Sequence, residues 1–365
     1  MLKLSPRENK SNLLLVITPF LAVLFTIISG GLLFWLLGKN PFEAIKLIFW
    51  DPIMSDTFAS YARPQLLVKA APLIIIALGL SIGFKANIWN IGAEGQFIMG
   101  AIFSAAVGLS FYPQEQWYIF PLMILAGIVG GILWALIPAL LKTKFNTNEI
   151  LVSLMLVYIA EQTVAAASIG ILRNPDGNGF PGSRNLNQYP SASNPELIAG
   201  TGVHWGVTFC FFAIATCHYL LKKHKFGFQI RLLGDAPKAA AFSGLNAKLI
   251  IILCFAISGG LAGVAGMFEL TGPAGAITID FNVGYGFTAI IVAFLGRLNP
   301  IGIFFAGLLM SLTYVGGEIS QFMLGIPAAA IQVFQGMLLF FLLSIDLLVK
   351  YKITMVKNSF PENEL

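Results

Sequence analysis

Long apolar runs separated by short polar clusters set the pattern of the chain. The runs extend from Leu13 to Leu37, Leu66 to Phe84, Gln96 to Phe111, Trp117 to Leu141, Glu149 to Gly170, Val203 to Leu221, Leu249 to Leu270, Gly286 to Leu295, Pro300 to Ile319 and Ala328 to Leu348. A helix needs roughly 20 apolar residues to cross a hydrocarbon core about 30 Å thick, so these are candidate spans, two of them short. No run shows the sustained alternation of a membrane barrel, and helices satisfy their backbone groups internally. The pattern therefore predicts an all-α membrane protein of about ten transmembrane helices.

Composition agrees. Of the 365 residues, 57% are hydrophobic and 11% charged, against about 25% charged in an ordinary soluble domain. The run from Leu13 to Leu37 is too long for the apolar core of a signal peptide, so it is read as a retained first span. The net charge of +5 does not indicate a nucleic-acid partner, because the basic residues lie in short clusters between apolar runs. With the N-terminus in the cytoplasm, Lys3, Arg7, Lys10, Lys85, Lys142, Lys144, Lys222, Lys223, Lys225, Arg231, Lys238, Lys248, Arg297, Lys350, Lys352 and Lys357 fall inside. Outside fall Lys39, Lys46, Arg63, Lys69, Arg173 and Arg184, so roughly 16 of the 22 basic residues are inner, as the positive-inside rule requires of an N-in, C-in chain.

This divides the sequence into a tail, first span and outer loop over residues 1–65, a core over 66–350, and a cytoplasmic tail over 351–365. Two segments between spans stand out. The outer one, Arg173 to Gly202, is rich in Asn, Pro, Gly and Ser and reads as a loop on which a soluble partner could dock, or as a solvated connector. The inner one, Lys222 to Lys248, contains a helix-favouring stretch from Pro237 to Phe242 between Gly234 and Gly244, which predicts a short helix at the cytoplasmic face.

Enzyme chemistry finds no residues to use. There is no GxxxxGK[ST] loop to cradle phosphates, no HExxH and no GxSxG. Cys210, Cys217 and Cys254 lie in apolar runs without metal-ligand spacing, and His204, His218 and His224 are far apart near predicted membrane boundaries. No metal site or catalytic residue is assigned. Of the acids in or beside spans, Glu94, Glu149, Glu161, Glu269, Asp280, Glu318 and Asp346, most are near predicted helix ends, where capping suffices.

Glu94 is different, because KANIWNIGAEG from Lys85 to Gly95 breaks the apolar pattern with polar residues and glycines. Broken helices are tolerated at membrane depth where protein or a water-filled cavity surrounds them. Asn87, Asn90, Glu94 and Gln96 could offer hydrogen bonds to a hydroxylated solute and Trp89 a stacking face; the competing reading is a cytoplasmic turn with a capped helix start. A second break between Thr271 and Pro300 places Asp280, Asn282 and Tyr285 as further candidates for the same path, with Gly284 and Gly286 permitting close backbone approach. Breaks in both halves suggest an internal repeat.

Four stretches in order carry a family resemblance: NIWNIGAEGQFIMGA from Asn87, FNTNEILVSLMLVYIA from Phe145, GDAPKAAAFSG from Gly234 and GYGFTAIIVAFLGRLNP from Gly284. Together they resemble the sugar and nucleoside branch of ABC importer permeases, which also includes ribose-type and branched-chain amino acid permeases. The likeness runs from about Ala71 to the last span. It implies the permease subunit of an importer in a prokaryotic inner membrane, with two cytoplasmic ATPases that bind ATP-Mg, a second permease subunit and an extracytoplasmic substrate-binding lipoprotein. It also makes the segment holding Gly234, Asp235, Ala236, Pro237, Ala239, Ala240 and Gly244 the element that couples to the ATPase, with small residues, Ala241 among them, to fit a groove. NTNEI looks most like the larger of the two permeases of nucleoside importers, which form a heterodimer. The solute is then a nucleoside first, a simple sugar second and a branched-chain amino acid third. The competing class is an ATP-independent secondary transporter or channel using residues such as Glu94 and Asp280 as titrating groups.

Overall fold

The structure, a computed structural model, describes residues 2–6 and 12–355, with side chains described over 17–345. In chain order the elements are a strand β1 (Leu2–Pro6), helices α1 (Asn12–Leu36), α2 (Pro41–Phe49), α3 (Asp51–Met54), α4 (Ala59–Lys85), α5 (Ala93–Ser110), α6 (Ile119–Phe145) and α7 (Glu149–Ile169), then α8 (Trp205–Lys222), α9 (Lys225–Asp235), α10 (Pro237–Phe242), α11 (Ala247–Glu269), α12 (Tyr285–Leu295), α13 (Pro300–Leu324) and α14 (Ala328–Lys350), and a strand β2 (Tyr351–Met355). Among the described residues nine helices are long and apolar enough to cross a membrane, and the shorter apolar Tyr285–Leu295 joins them. The chain is an all-α, multi-pass membrane protein. The two terminal strands, outside the spans, pair antiparallel from Leu2 with Met355 to Pro6 with Tyr351. Arg7, Lys10 and Lys357, counted as inner charges in the sequence, lie outside the described residues.

The chain forms two compact units. One takes the residues up to Asp51 and those from Gly316 onward; the other runs from Pro52 to Val315. This division differs from the linear one at 65/66 and 350/351, because the first and last helices share an apolar cluster. In that first unit Phe34, Ala44, Ile48, Ile331 and Phe334 are buried together, and the rings of Phe34 and Phe334 stack at 5.8 Å. α2 starts as its sequence dictates: the Asn40 side chain accepts from the Phe42 amide at 3.0 Å, and Pro41 stands at the first helical position, where its missing N–H costs nothing.

The second unit is built around α4. It is apolar on every side, the mark of a central helix, and 89% of its most apolar window is buried, against 33% for α6, α7 and α8. α5, α6 and α11 pack closely beside it through small residues. Gly127 and Gly131 on α6 meet Gly259 and Gly263 on α11 so closely that a Cβ on Gly263 would collide with the Gly127 carbonyl. These are two GxxxG patterns facing one another, the arrangement by which membrane helices gain van der Waals contact where no hydrophobic drive separates helix from lipid.

Candidate translocation site

Both predicted breaks exist, and they meet. α4 ends at Lys85, and Asn87 takes a left-handed backbone (φ 56°) that its short polar side chain tolerates, which turns the chain into the segment before α5. Within this turn the Ile91 amide donates to Ser153 Oγ at 3.2 Å and the Gly92 amide to Asn90 Oδ1 at 3.1 Å. α5 begins at Ala93 rather than near Gln96, so Glu94 and Gln96 lie in a helix and not in the break itself.

The second break follows α11. A π-helical turn covers Leu270–Ala274, and a non-helical stretch leads to α12. With 11 residues and a rise of about 1.5 Å each, α12 is about half the length needed to span a bilayer. Its N-terminal amides, without partners inside the helix, face Glu94. The buried Glu94 carboxylate accepts from the Gly284 amide at 3.0 Å through Oε1 and from the Gly286 amide through Oε2. A carboxylate at a helix N-terminus satisfies orphan N–H groups and opposes the positive end of the dipole. Gly286 is obligatory here, since any Cβ would collide with the Glu94 backbone. Asn282 extends the lock: its side chain accepts from the Gly284 amide at 3.1 Å and donates to Glu161 on α7. Tyr285, fully buried, sits edge-on to Phe97 and packs against Tyr314.

Of the eight residues assigned to a solute path, the structure brings Glu94, Asn282 and Tyr285 together at the start of α12. Asn90 and Gln96 form a second cluster: their amides bond reciprocally at 2.9 and 3.0 Å, and Asn90 also donates to Ser258 at 3.0 Å. Both are buried and their groups serve each other. Trp89 belongs to the opposite end of α12, stacked on Phe294 and tilted against Phe84, with its indole N–H donating to Asn87. Asp280 is exposed on the stretch before α12, apart from the rest. Glu161, one of the acids in or beside spans and not assigned to the path, is part of the lock; its place inside an apolar run is the available signal. Ser258 carried none.

The inner segment contains the predicted helix, α10, with the same bounds. It also contains α9, an amphipathic stretch interrupted by glycines that does not register as an apolar run. Gly234 and Asp235 therefore end a helix, and Gly234 lies against the Lys85 carbonyl so closely that a Cβ would collide with it. Ala240, expected to face a partner groove, is turned into the chain's own packing (1% exposed). Pro237, Ala239 and Ala241 are exposed, Ala236 is half-buried, and Phe242 projects almost bare at 94% exposure. His204 and His224 cap α8 and α9, each accepting an amide two residues on through Nδ1, at 3.0 and 3.2 Å. His218 lies within α8, and the three cysteines are buried and unbridged.

The outer segment is more than a connector. Leu186 donates its amide to the Gly275 carbonyl at 2.7 Å and Asn194 to the Thr271 carbonyl at 3.2 Å, while the Asn187 side chain donates to the Gly272 carbonyl at 2.8 Å. These bonds fasten it over the π-turn. Gln65, near the start of α4, donates to the Thr201 carbonyl at 3.2 Å. The two polar segments therefore lie at opposite ends of α4, one at Gln65 and the other at Lys85.

A half-helix, two meeting breaks and a helical hairpin at the end of the central span form the frame on which sequence comparison can be placed. A family described as the permease component of branched-chain amino acid transport systems matches residues 64–343. The chain belongs to this permease family. It is 30% identical to a glucose ABC transporter permease protein of Haloferax volcanii over 96% of this chain and 93% of that one. It is 27% identical to a nucleoside ABC transporter permease protein of Lactococcus lactis subsp. cremoris over 92% of each, and 25% identical to a guanosine ABC transporter permease protein of Bacillus subtilis over 90% of this chain and 93% of that one. No solved structure matches the permease. As the membrane-spanning subunit of an ABC importer, the permease supplies the route.

Proposed function

We propose that the permease carries an uncharged, hydroxylated ring solute, a nucleoside or a simple sugar, into the cell. The observation that carries this reading is the Glu94 lock. Half-helix N-termini in transporters commonly face the anionic group of a substrate, but here the chain's own carboxylate occupies that position, bonded to the amides of Gly284 and Gly286. The positive end of α12 is already neutralised, and a neutral solute is the cargo that needs nothing from it. Relatives named for glucose, nucleosides and guanosine support the same class.

In this reading the protein lies in the prokaryotic cytoplasmic membrane with both termini inside, and is surrounded by lipid. The N- and C-terminal strands, which pair with one another, support placing both ends on one side. A cytoplasmic ATPase that binds ATP-Mg docks on α9 and α10, with Phe242 as its anchor and Gly234 passing the motion to the end of α4. A substrate-binding lipoprotein docks on the outer segment, and a second, different permease completes a heterodimer. Sequence similarity to the larger nucleoside permeases supports that last step. Uptake of labelled uridine and glucose by cells holding the whole importer tests the function. Vanadate-sensitive accumulation of one of them is expected; accumulation abolished by an uncoupler but untouched by vanadate sinks the reading.

A further inference from the structure

We propose that the cavity over the π-turn is an entry site for the solute, binding an uncharged polyol through the Nε2–H of His204 before the solute reaches the membrane interior. This rests on the reading of the cargo as a neutral hydroxylated molecule. The cavity measures about 440 Å³ and lies between the start of α4, the outer segment and the π-turn. That volume is within the range of about 300–1,000 Å³ typical of small-molecule sites.

His204 forms part of its wall and is 3% exposed. Its Nδ1 is within 3.0 Å of both the Asn194 side-chain amide and the Gly206 amide. Two N–H groups aimed at Nδ1 fix it as the acceptor and place the ring hydrogen on Nε2. Asn194 is held in turn, since its Oδ1 accepts from the Trp205 amide at 3.2 Å. Among the described residues the Nε2–H has no partner. A buried donor left unsatisfied costs stability and calls for an explanation. It lies against Gly272, another wall residue, where a Cβ would stand 2.9 Å from Nε2, so a side chain at this position would press on that edge of the ring. Burial pushes the His204 pKa down to about 4, so the ring is a neutral, directional donor at physiological pH.

The remaining wall identifies the ligand class. Gln65, Asn187 and Ser193 donate within the protein, to the Thr201, Gly272 and Pro190 carbonyls, and keep amide and hydroxyl oxygens that can accept from a ligand; the charged residue in the wall is Glu196, and among the described residues no lysine or arginine lines the cavity. Such a wall pairs with ring hydroxyls and gives a phosphate no counter-charge. Nothing in the half-helix lock duplicates this, because its donors are already used.

The test uses cells carrying the whole importer with Ser193→Cys in the permease. The native cysteines are buried, so a membrane-impermeant maleimide reads position 193. Uridine or glucose, at about ten times its dissociation constant, is expected to slow labelling about tenfold. Uridine 5′-monophosphate and glucose 6-phosphate are expected to leave the rate unchanged, as is any solute at the exposed control Asp176→Cys. Adding His204→Ala should abolish the protection while Asp176→Cys, in the same background, still labels at its normal rate, which shows the outer segment intact. If the wild-type importer accumulates the solute but position 193 is unprotected, or is not reached from outside, the entry site is wrong and the transport reading stands. Failure of the wild type to accumulate either solute removes both.

Discussion

The two polar regions of the second unit treat their hydrogen-bonding groups in opposite ways. At the start of α12, Glu94, Asn282 and the amides of Gly284 and Gly286 bond one another, and Asn90 with Gln96 does the same nearby. In the cavity at the far end of α4, the amide and hydroxyl side chains are only partly used within the protein, and the Nε2–H of His204 has no partner among the described residues. On the proposed orientation, with the lock within hydrocarbon and the cavity near the outer face, depth explains the difference. Within hydrocarbon an unsatisfied backbone or side-chain group costs several kcal/mol, so the break must close on itself. Near the aqueous face, water or a solute completes the bonds, and a donor can be kept in reserve.

The comparison breaks most sharply at Gly286. Gly286→Val forces a side chain into the Glu94 backbone and should cost about 3 kcal/mol or more, seen as loss of monodisperse protein in detergent. Normal yield and melting temperature would mean that the two breaks do not meet as described.

Acid should act on the cavity region. His204 has a folded pKa lowered to about 4 from 6.5, by burial first, with Glu196 pulling weakly the other way. A depressed folded pKa means that the unfolded chain binds the proton first. Stability is therefore full above pH 6.5 and falls as the pH drops toward 4, by up to about 3 kcal/mol. Melting curves across that window should show the fall, and His204→Gln should flatten it; an unchanged slope in the variant assigns the pH dependence to another group.

Glu94→Gln keeps the size of the side chain but leaves one accepting oxygen in place of two, so the bond to either the Gly284 or the Gly286 amide is lost, which should cost about 1–3 kcal/mol. Thermal melting measures it. A variant with wild-type stability but no transport would make Glu94 a solute-handling group rather than a cap. The smallest effect on stability belongs to Phe242→Ala, within about 0.5 kcal/mol because the ring is almost wholly exposed. Its expected effect is on coupling: ATPase co-purification and vanadate-sensitive uptake should both fall. Retention of both would remove Phe242 from the docking surface.

Much of this was legible along the chain. The spans follow from runs of about 20 apolar residues, the interruption near Glu94 from polar residues where lipid tolerates none, and α10 from Pro237 and Gly244 at its ends. α9 was not legible as a span, since amphipathic surface helices lack a continuous apolar run. Ala240 could not be told from Ala239 and Ala241, because three adjacent alanines carry no information about which one faces inward.

The sequence by itself determined the class of the molecule, its helices and the two places where they break, because burial in lipid and backbone hydrogen bonding act on local composition. Tertiary structure alone decided who meets whom. Glu94 and Gly286 are 192 positions apart, Asn282 and Glu161 are 121 apart, and the first helix packs with the last through Phe34 and Phe334. Such pairings depend on how helices close on one another through small residues such as Gly263, a geometry that no single stretch of sequence contains.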